Sequence, residues 1–208
     1  MARKTKEEAE KTRKNILDAA LSTFSIKGYM RSSLNDIAIA AGVTRGAIYW
    51  HFKDKVDLLE ALWEDIDRCH KNTKEDVVRD GFYSIDELRK NILEWFYEIE
   101  DNPRLNTYYK FMAYKIEYHE ELEPVLAHQR EEKRMMMKSL EEDFRQLQNA
   151  NRMRADIEPG HAALMTFAFV RGLMEHWLFD RTAFSMKKTV PVLLDNFLGG
   201  FQASPQKG

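Results

Sequence analysis

The chain has 208 residues, 44% of them apolar and 32% charged, with only nine glycines and five prolines, so turns are few and long helices are favoured over a many-stranded sandwich or barrel. A single cysteine, Cys69, excludes a disulfide scaffold and a four-cysteine zinc site, and it fits a reducing compartment. The densely charged stretch Met1–Lys14 is not followed by an apolar run, which argues against a signal peptide. The longest apolar stretch, Ala162–Val170, is about half of a membrane span, so a cytoplasmic protein is expected.

The net charge of −2 hides an asymmetry. Residues 1–55 hold eleven Lys and Arg against six acids, a balance of +5, and the remaining 153 residues carry −7. A basic head on an acidic body points to a polyanionic partner for the head.

In chain order, a first helix is predicted over Glu7–Lys27, with Ile16, Leu17, Ala20, Leu21 and Phe24 on one face and Gly28 as its stop. Ser33 opens a second, two-turn helix through a Ser-x-x-Asp capping pattern with Asp36, and Gly42 ends it. Thr44 caps a third helix, Arg45 to about Trp50, and Asp54 caps a fourth, Lys55 to about Arg79, with Leu58, Leu59, Leu62, Ile66 and Val77 as its stripe. The body continues as helices near Ile85–Glu100 and Arg104–His119 (stripe Leu105, Tyr109, Met112, Ile116). A long helix follows from Pro124, then two more near Glu158–Phe179 and Met186–Phe201, the last containing Pro191 in its first turns or at a kink. Gly81 is read as a further stop, and Ala203–Gly208 as a disordered tail.

Residues 33–51 carry the chemistry. Two short helices joined by a tight Gly42 turn are the parts of a helix-turn-helix. The N-terminal end of the second such helix enters the DNA major groove. Arg45 has the fork geometry to bond guanine O6 and N7, and Gly46 lets the helix approach the base edges. Ser33 and Thr44 bring hydroxyls and helix N-termini to phosphates, and Tyr49, His51 and Lys55 add donors beside them. Many helical bundles contain such a pair, so geometry alone leaves DNA binding open.

The run Thr44-Arg45-Gly46-Ala47-Ile48-Tyr49-Trp50-His51-Phe52-Lys53-Asp54-Lys55, followed by Leu58-Leu59, resembles the DNA-binding segment of TetR-family transcriptional repressors. Ile16 to Ala20, Phe24, Gly28 and Ser32 to Ala38 match the family's first two helices. Met1 to Lys6 and Gly172 to Phe179 look like the AcrR branch, which represses multidrug-efflux operons. The resemblance implies an all-α, nine-helix fold, with a DNA-binding head at 1–55 and a ligand-binding, dimerising body at 56–208. It implies Arg45 as base reader, Phe52 as core, Trp50 as either core or contact, and phosphate contacts from Ser33, Thr44, Tyr49, His51 and Lys55. Lys4, Lys6 and Lys11 stand equally well as DNA contacts or solvated surface.

The resemblance also implies a ligand cavity among helices four to eight and a homodimer through about 158–201. The residues support both. Helix eight is apolar around nearly its whole circumference, more than a monomer surface tolerates, and Gly172 permits a close crossing. Trp63, Asp67 and His70 on helix four, Tyr114 and Glu117 with Tyr118 on helix six, and Gln129, Lys133 and Met137 on helix seven are the candidate ligand contacts. An aromatic beside an acid suits a lipophilic cation, and Met135–Met137 offers adaptable surface. No cofactor or membrane partner is expected. A metabolic operon, with a fatty-acid or aromatic ligand held by Lys133, Arg130 or Arg171, is the alternative. A di-metal enzyme built on Asp67-x-x-His70 and Glu158-x-x-His161 is remote, because Pro159-Gly160 puts the second pair at a helix start. The chain is expected not to be an enzyme.

Overall fold

The computed structural model describes residues 6–72, 84–116 and 119–202. Expectations at Lys4, Val77, Gly81, Glu117 and Tyr118, at the end of the fourth helix past residue 72, at the tail and at the His70 side chain lie outside the described residues. The helices are α1 (Lys6–Lys27), α2 (Leu34–Ala41), α3 (Arg45–His51), α4 (Lys55–Asn72), α5 (Ile85–Asp101), α6 (Pro103–Tyr114), α7 (Glu123–Asn149), α8 (Pro159–Phe179) and α9 (Met186–Gly199). A single 3-10 turn, Glu120–Leu122, precedes α7, and no strand occurs among the described residues.

Two compact units form. The first comprises Met1–Thr73 and Arg104–Ala127, so α4, α6 and the start of α7 pack with the first three helices, a wider grouping than the 1–55 head drawn from the sequence. Its core joins Ile16, Leu17 and Phe24 of α1, Ile37 of α2, Ile48 of α3, Leu58 and Leu62 of α4, and Leu105 and Phe111 of α6. Phe24 stacks on Phe111 with ring centres 5.6 Å apart. The packing unit extends beyond residue 55 because its core takes in Leu58 and Leu62 of α4 and Leu105 and Phe111 of α6.

The expected α6 stripe is shifted. Leu105, Asn106, Tyr108 and Phe111 are buried, and Tyr109, Met112 and Ile116 are only half-buried. The helix also stops at Tyr114 rather than His119. Lys115 N–H closes the last turn on the Phe111 carbonyl at 2.8 Å, and the Lys115 carbonyl accepts instead from Tyr29 N–H at 3.4 Å. That acceptor is the one a continuing helix would offer to residue 119.

The second unit comprises Lys74–Pro103 and His128–Gly208. Within it α5 and α9 run antiparallel. Lys187 at the start of α9 holds Asp101 at the end of α5 at 2.7 Å, and Arg89 near the start of α5 pairs with Asp195 toward the end of α9. Pro191 lies inside α9, past its first turn, and Val190, Leu194 and Leu198 form the buried face around it. Asn151, at φ 57°, turns the chain out of α7, and Glu158 caps α8 by accepting from His161 N–H at 2.9 Å. The Glu158-x-x-His161 spacing is thereby accounted for as a cap.

Candidate functional site

The local chemistry of α2 and α3 is satisfied residue by residue. Ser33 Oγ accepts from Asp36 N–H at 3.1 Å, and Asp36 Oδ2 accepts from Ser33 N–H at 3.0 Å, a complete capping box. Lys27 Nζ reaches Asp36 Oδ1 at 2.7 Å. That ion pair, with the two Ser33 bonds, lowers the Asp36 pKa from 3.8 to about 2. Gly42, at φ 63°, takes the left-handed conformation that ends α2, and Val43 N–H returns to the Ala38 carbonyl at 3.0 Å. Thr44 Oγ1 then accepts from Ala47 N–H at 3.1 Å and starts α3. Only Gly42, Val43 and Thr44 separate the two helices, so their crossing is set by two caps. Asn15 Nδ2 donates to the Ala41 carbonyl at 2.8 Å and ties the C-terminus of α2 to α1.

On α3, Ile48 is buried and defines the inner face. At about 100° per residue, Gly46 and Trp50, two positions to either side of Ile48, lie nearly opposite it and form the outer ridge. Arg45 and Tyr49 share one flank. Arg45 Nη2 donates to Tyr49 Oη at 3.1 Å, and its guanidinium lies 5.4 Å from the Tyr49 ring centre. Arg45, the expected base reader, is therefore held along the helix by a residue expected to meet phosphate. A Cβ built on Gly46 meets only Thr44 Oγ1, at 3.9 Å, so nothing within the chain requires glycine there.

Phe52 is core, beneath the Arg13 guanidinium at 5.4 Å from its ring centre. Trp50, left open by the sequence, is exposed. His51 lies edge-on beneath it, with ring centres 4.5 Å apart. Thr44 accepts within its cap, which leaves its O–H proton to donate outward. Ser33 donates that proton to Asp36 Oδ2 at 2.7 Å, so its hydroxyl is engaged inside the capping box.

Lys55 has partners within the chain. Its ammonium donates to the Tyr29 carbonyl at 3.1 Å and the Ser32 carbonyl at 3.3 Å, sits 4.2 Å from the Tyr29 ring centre, and has Glu121 Oε1 at 3.9 Å. Two of its three donors bolt the α1–α2 connection to α4, which is a structural use of the charge.

The candidate ligand residues divide between the units. In the first, Trp63 and Asp67 are half-buried on α4, and Tyr114 is the exposed last residue of α6. In the second, Gln129 and Met137 are half-buried, and Lys133 is exposed with its ammonium 4.4 Å from the Phe167 ring centre. Among the described residues, Gln129 Nε2 is buried without a hydrogen-bond partner. The same is true of two side chains the sequence reading missed: Asn106 Nδ2 on α6, 5% exposed, and Thr166 Oγ1 on α8, 3% exposed. A buried amide or hydroxyl left unsatisfied costs about 1–3 kcal/mol. In sequence Asn106 stands between Leu105 and Thr107 and Thr166 between Met165 and Phe167, which gives no hint of a missing partner. Arg104 was also missed. It leaves the start of α6 to hold Asp18 of α1 at 2.7 Å and Asp65 of α4 at 2.6 Å. Among the described residues no three His, Cys, Asp or Glu side chains gather as a metal site.

Helix α8 is two-sided. Ala162, Ala163, Thr166, Met174, Trp177 and Leu178 face inward, whereas Leu164, Met165, Ala168, Gly172 and Phe179 are exposed along one stripe, with Val192 and Leu193 exposed on α9. A Cβ on Gly172 would meet nothing within 4 Å. No helix among the described residues is long and apolar enough to cross a membrane.

Residues 16–62 match the family model described as bacterial regulatory proteins, tetR family, and residues 84–203 match the C-terminal region of MAATS-type transcriptional repressors. The HTH-type transcriptional regulator AcrR of Shigella flexneri is 36% identical over 206 residues, covering 95% of this chain and 94% of that protein. Among solved structures, NalD, the secondary repressor of the MexAB-OprM multidrug efflux pump in Pseudomonas aeruginosa, superposes with a TM-score of 0.81 at 26% identity, covering 95% of this chain and 100% of NalD. SmeT, the repressor of the Stenotrophomonas maltophilia multidrug efflux pump SmeDEF, superposes in its triclosan complex with a TM-score of 0.77 at 27% identity, covering 92% of this chain and 91% of SmeT.

Proposed function

The chain belongs to the TetR family of bacterial regulatory proteins, and from that premise we propose that it is a ligand-responsive repressor of a multidrug-efflux operon. A homodimer binds a pseudo-palindromic operator, and a lipophilic cationic or neutral compound releases it. The observation that carries the DNA half is the outer ridge of α3, where Gly46 is unneeded by the fold and Arg45 is braced by Tyr49 beside it. Arg45 reads bases. Thr44, Tyr49 and His51 meet phosphates, and Lys55 holds the frame on which they stand.

The exposed stripe of α8 with Val192 and Leu193 of α9 is the dimer face. It carries the exposed apolar side chains Leu164, Met165 and Phe179, and Gly172 leaves room for a partner helix. The ligand engages Trp63 and Asp67 on α4, with the unsatisfied Asn106 amide on α6 supporting a polar contact in the same unit. Because α4 also carries Lys55, which grips the α1–α2 connection, a ligand that tilts α4 moves the reading head. Two heads must sit about 34–36 Å apart to dock in successive major grooves, so a small tilt on each subunit disrupts both half-sites.

The test is binding of the full-length protein to duplex DNA flanking its own gene, against random duplex at matched salt, with and without tetraphenylphosphonium. Arg45→Ala is expected to lose about 1–3 kcal/mol of preference per base contact. Equal affinity for flanking and random DNA would refute the repressor reading. Operator affinity unmoved by the cation would remove the cationic-ligand assignment. Asp67→Asn that still binds and responds to the cation as wild type would exclude Asp67 from the site.

A further inference from the structure

The outer ridge of α3 carries an indole for which the fold has no use. Trp50 is 72% exposed, although its neighbours Ile48 and Phe52 are buried. The ring is not loose: His51 meets it edge-on with centroids 4.5 Å apart and planes at 88°, and this contact gives the indole a preferred orientation. Long side chains on a helix lean toward its N-terminal turn. One turn back from Trp50 stands Gly46, which adds no Cβ to that surface. The result is a flat apolar surface in the middle of the ridge, continuous with the Arg45–Tyr49 pair on its flank.

A helix face that enters the major groove meets donors and acceptors on every base pair, but only one apolar group, the C5 methyl of thymine. An indole on that face matches the methyl and leaves cytosine, which lacks it, without a partner. We infer that Trp50 is a specificity-determining residue of the operator contact, packing its indole against a thymine methyl in each half-site and selecting thymine over cytosine at that step. This rests on the operator-binding reading above and adds an apolar readout to the hydrogen-bonded readout of Arg45.

The experiment uses full-length wild type and Trp50→Ala on the flanking duplex, with its thymines replaced singly, and symmetrically in both half-sites, by deoxyuridine, which removes only the methyl. Trp50 is exposed, so the variant is expected to keep the wild-type melting temperature, and that is checked first. At one position, methyl removal is expected to weaken wild-type binding about fourfold per half-site, on the scale of one buried methyl group. At that same position Trp50→Ala is expected to bind the thymine and deoxyuridine duplexes alike. The inference is overturned if every deoxyuridine substitution affects wild type and Trp50→Ala equally. It is also overturned if Trp50→Ala weakens flanking and random DNA by the same factor, the signature of a sugar–phosphate contact, or if the substitution leaves operator affinity unchanged. Loss of all preference for flanking DNA by the wild type would instead bring down the repressor reading, and this assignment with it.

Discussion

Replacing Gly46 by alanine separates what the fold needs from what the operator needs. The new methyl would find only Thr44 Oγ1, at 3.9 Å, so it enters without a clash. Glycine within a helix is less stable than alanine by roughly 0.5–1 kcal/mol, and the first-turn position of Gly46 in α3 makes that an upper bound. At about 2–4 °C per kcal/mol for a chain of this size, the melting temperature should rise slightly or stay level. On DNA the sign reverses. A Cβ adds about 1.5 Å of carbon to the ridge, whereas donor–acceptor distances tolerate only about 0.5 Å. Arg45, one residue away, would be lifted out of range of its base, at a cost of about 1–3 kcal/mol per half-site. Calorimetric or optical melting, paired with operator titration by anisotropy, reads both effects. Unchanged operator affinity would refute the close approach of this face, and a clear drop in melting temperature would refute the claim that the fold has room for the methyl.

Three further perturbations test the frame. Asp36 has a folded pKa of about 2 against an ordinary 3.8, so its stabilisation is complete above about pH 4 and is lost as pH falls toward 2. Asp36→Asn should therefore lose less stability than wild type between pH 4 and 2 in denaturant melts, and parallel curves would contradict the box. Arg104→Met leaves Asp65, with a side chain only 17% exposed, without the guanidinium it holds at 2.6 Å. A loss of about 1–3 kcal/mol is expected from that stranded carboxylate, recovered in large part by Asp65→Leu in the same chain, and a denaturant midpoint within error of wild type would show the tie to be idle. Gly172→Leu has open space around it within the subunit, so the fold should persist while the partner is displaced. Sedimentation should show folded monomers, and an intact dimer would move the interface elsewhere.

Much of the head could be read directly because its geometry is made by residues three or four apart. Ser33 with Asp36, Gly42 with the last turn of α2, and Thr44 with Ala47 are contacts of adjacent backbone, and each residue type names its own role. The fold class was legible for the same reason: apolar spacing of three and four, with few breakers, leaves helices as the economical outcome. What the sequence could not determine lies in partners far apart along it. Lys55 finds carbonyls 26 and 23 residues away and so becomes a bolt, and Arg104 finds an aspartate 86 residues away on α1 and another 39 away on α4. The carbonyl of Lys115 accepts from Tyr29 just past the early end of α6, and the inner face of that helix includes Asn106. Trp50 and Ile48 are both large apolar residues on one short helix, and only the packing of α3 against its neighbours decided which faces the core and which faces outward. A charge or an indole carries the same chemistry wherever it stands; its use is set by which groups the folded chain brings within a few ångströms, and that depends on every intervening helix at once.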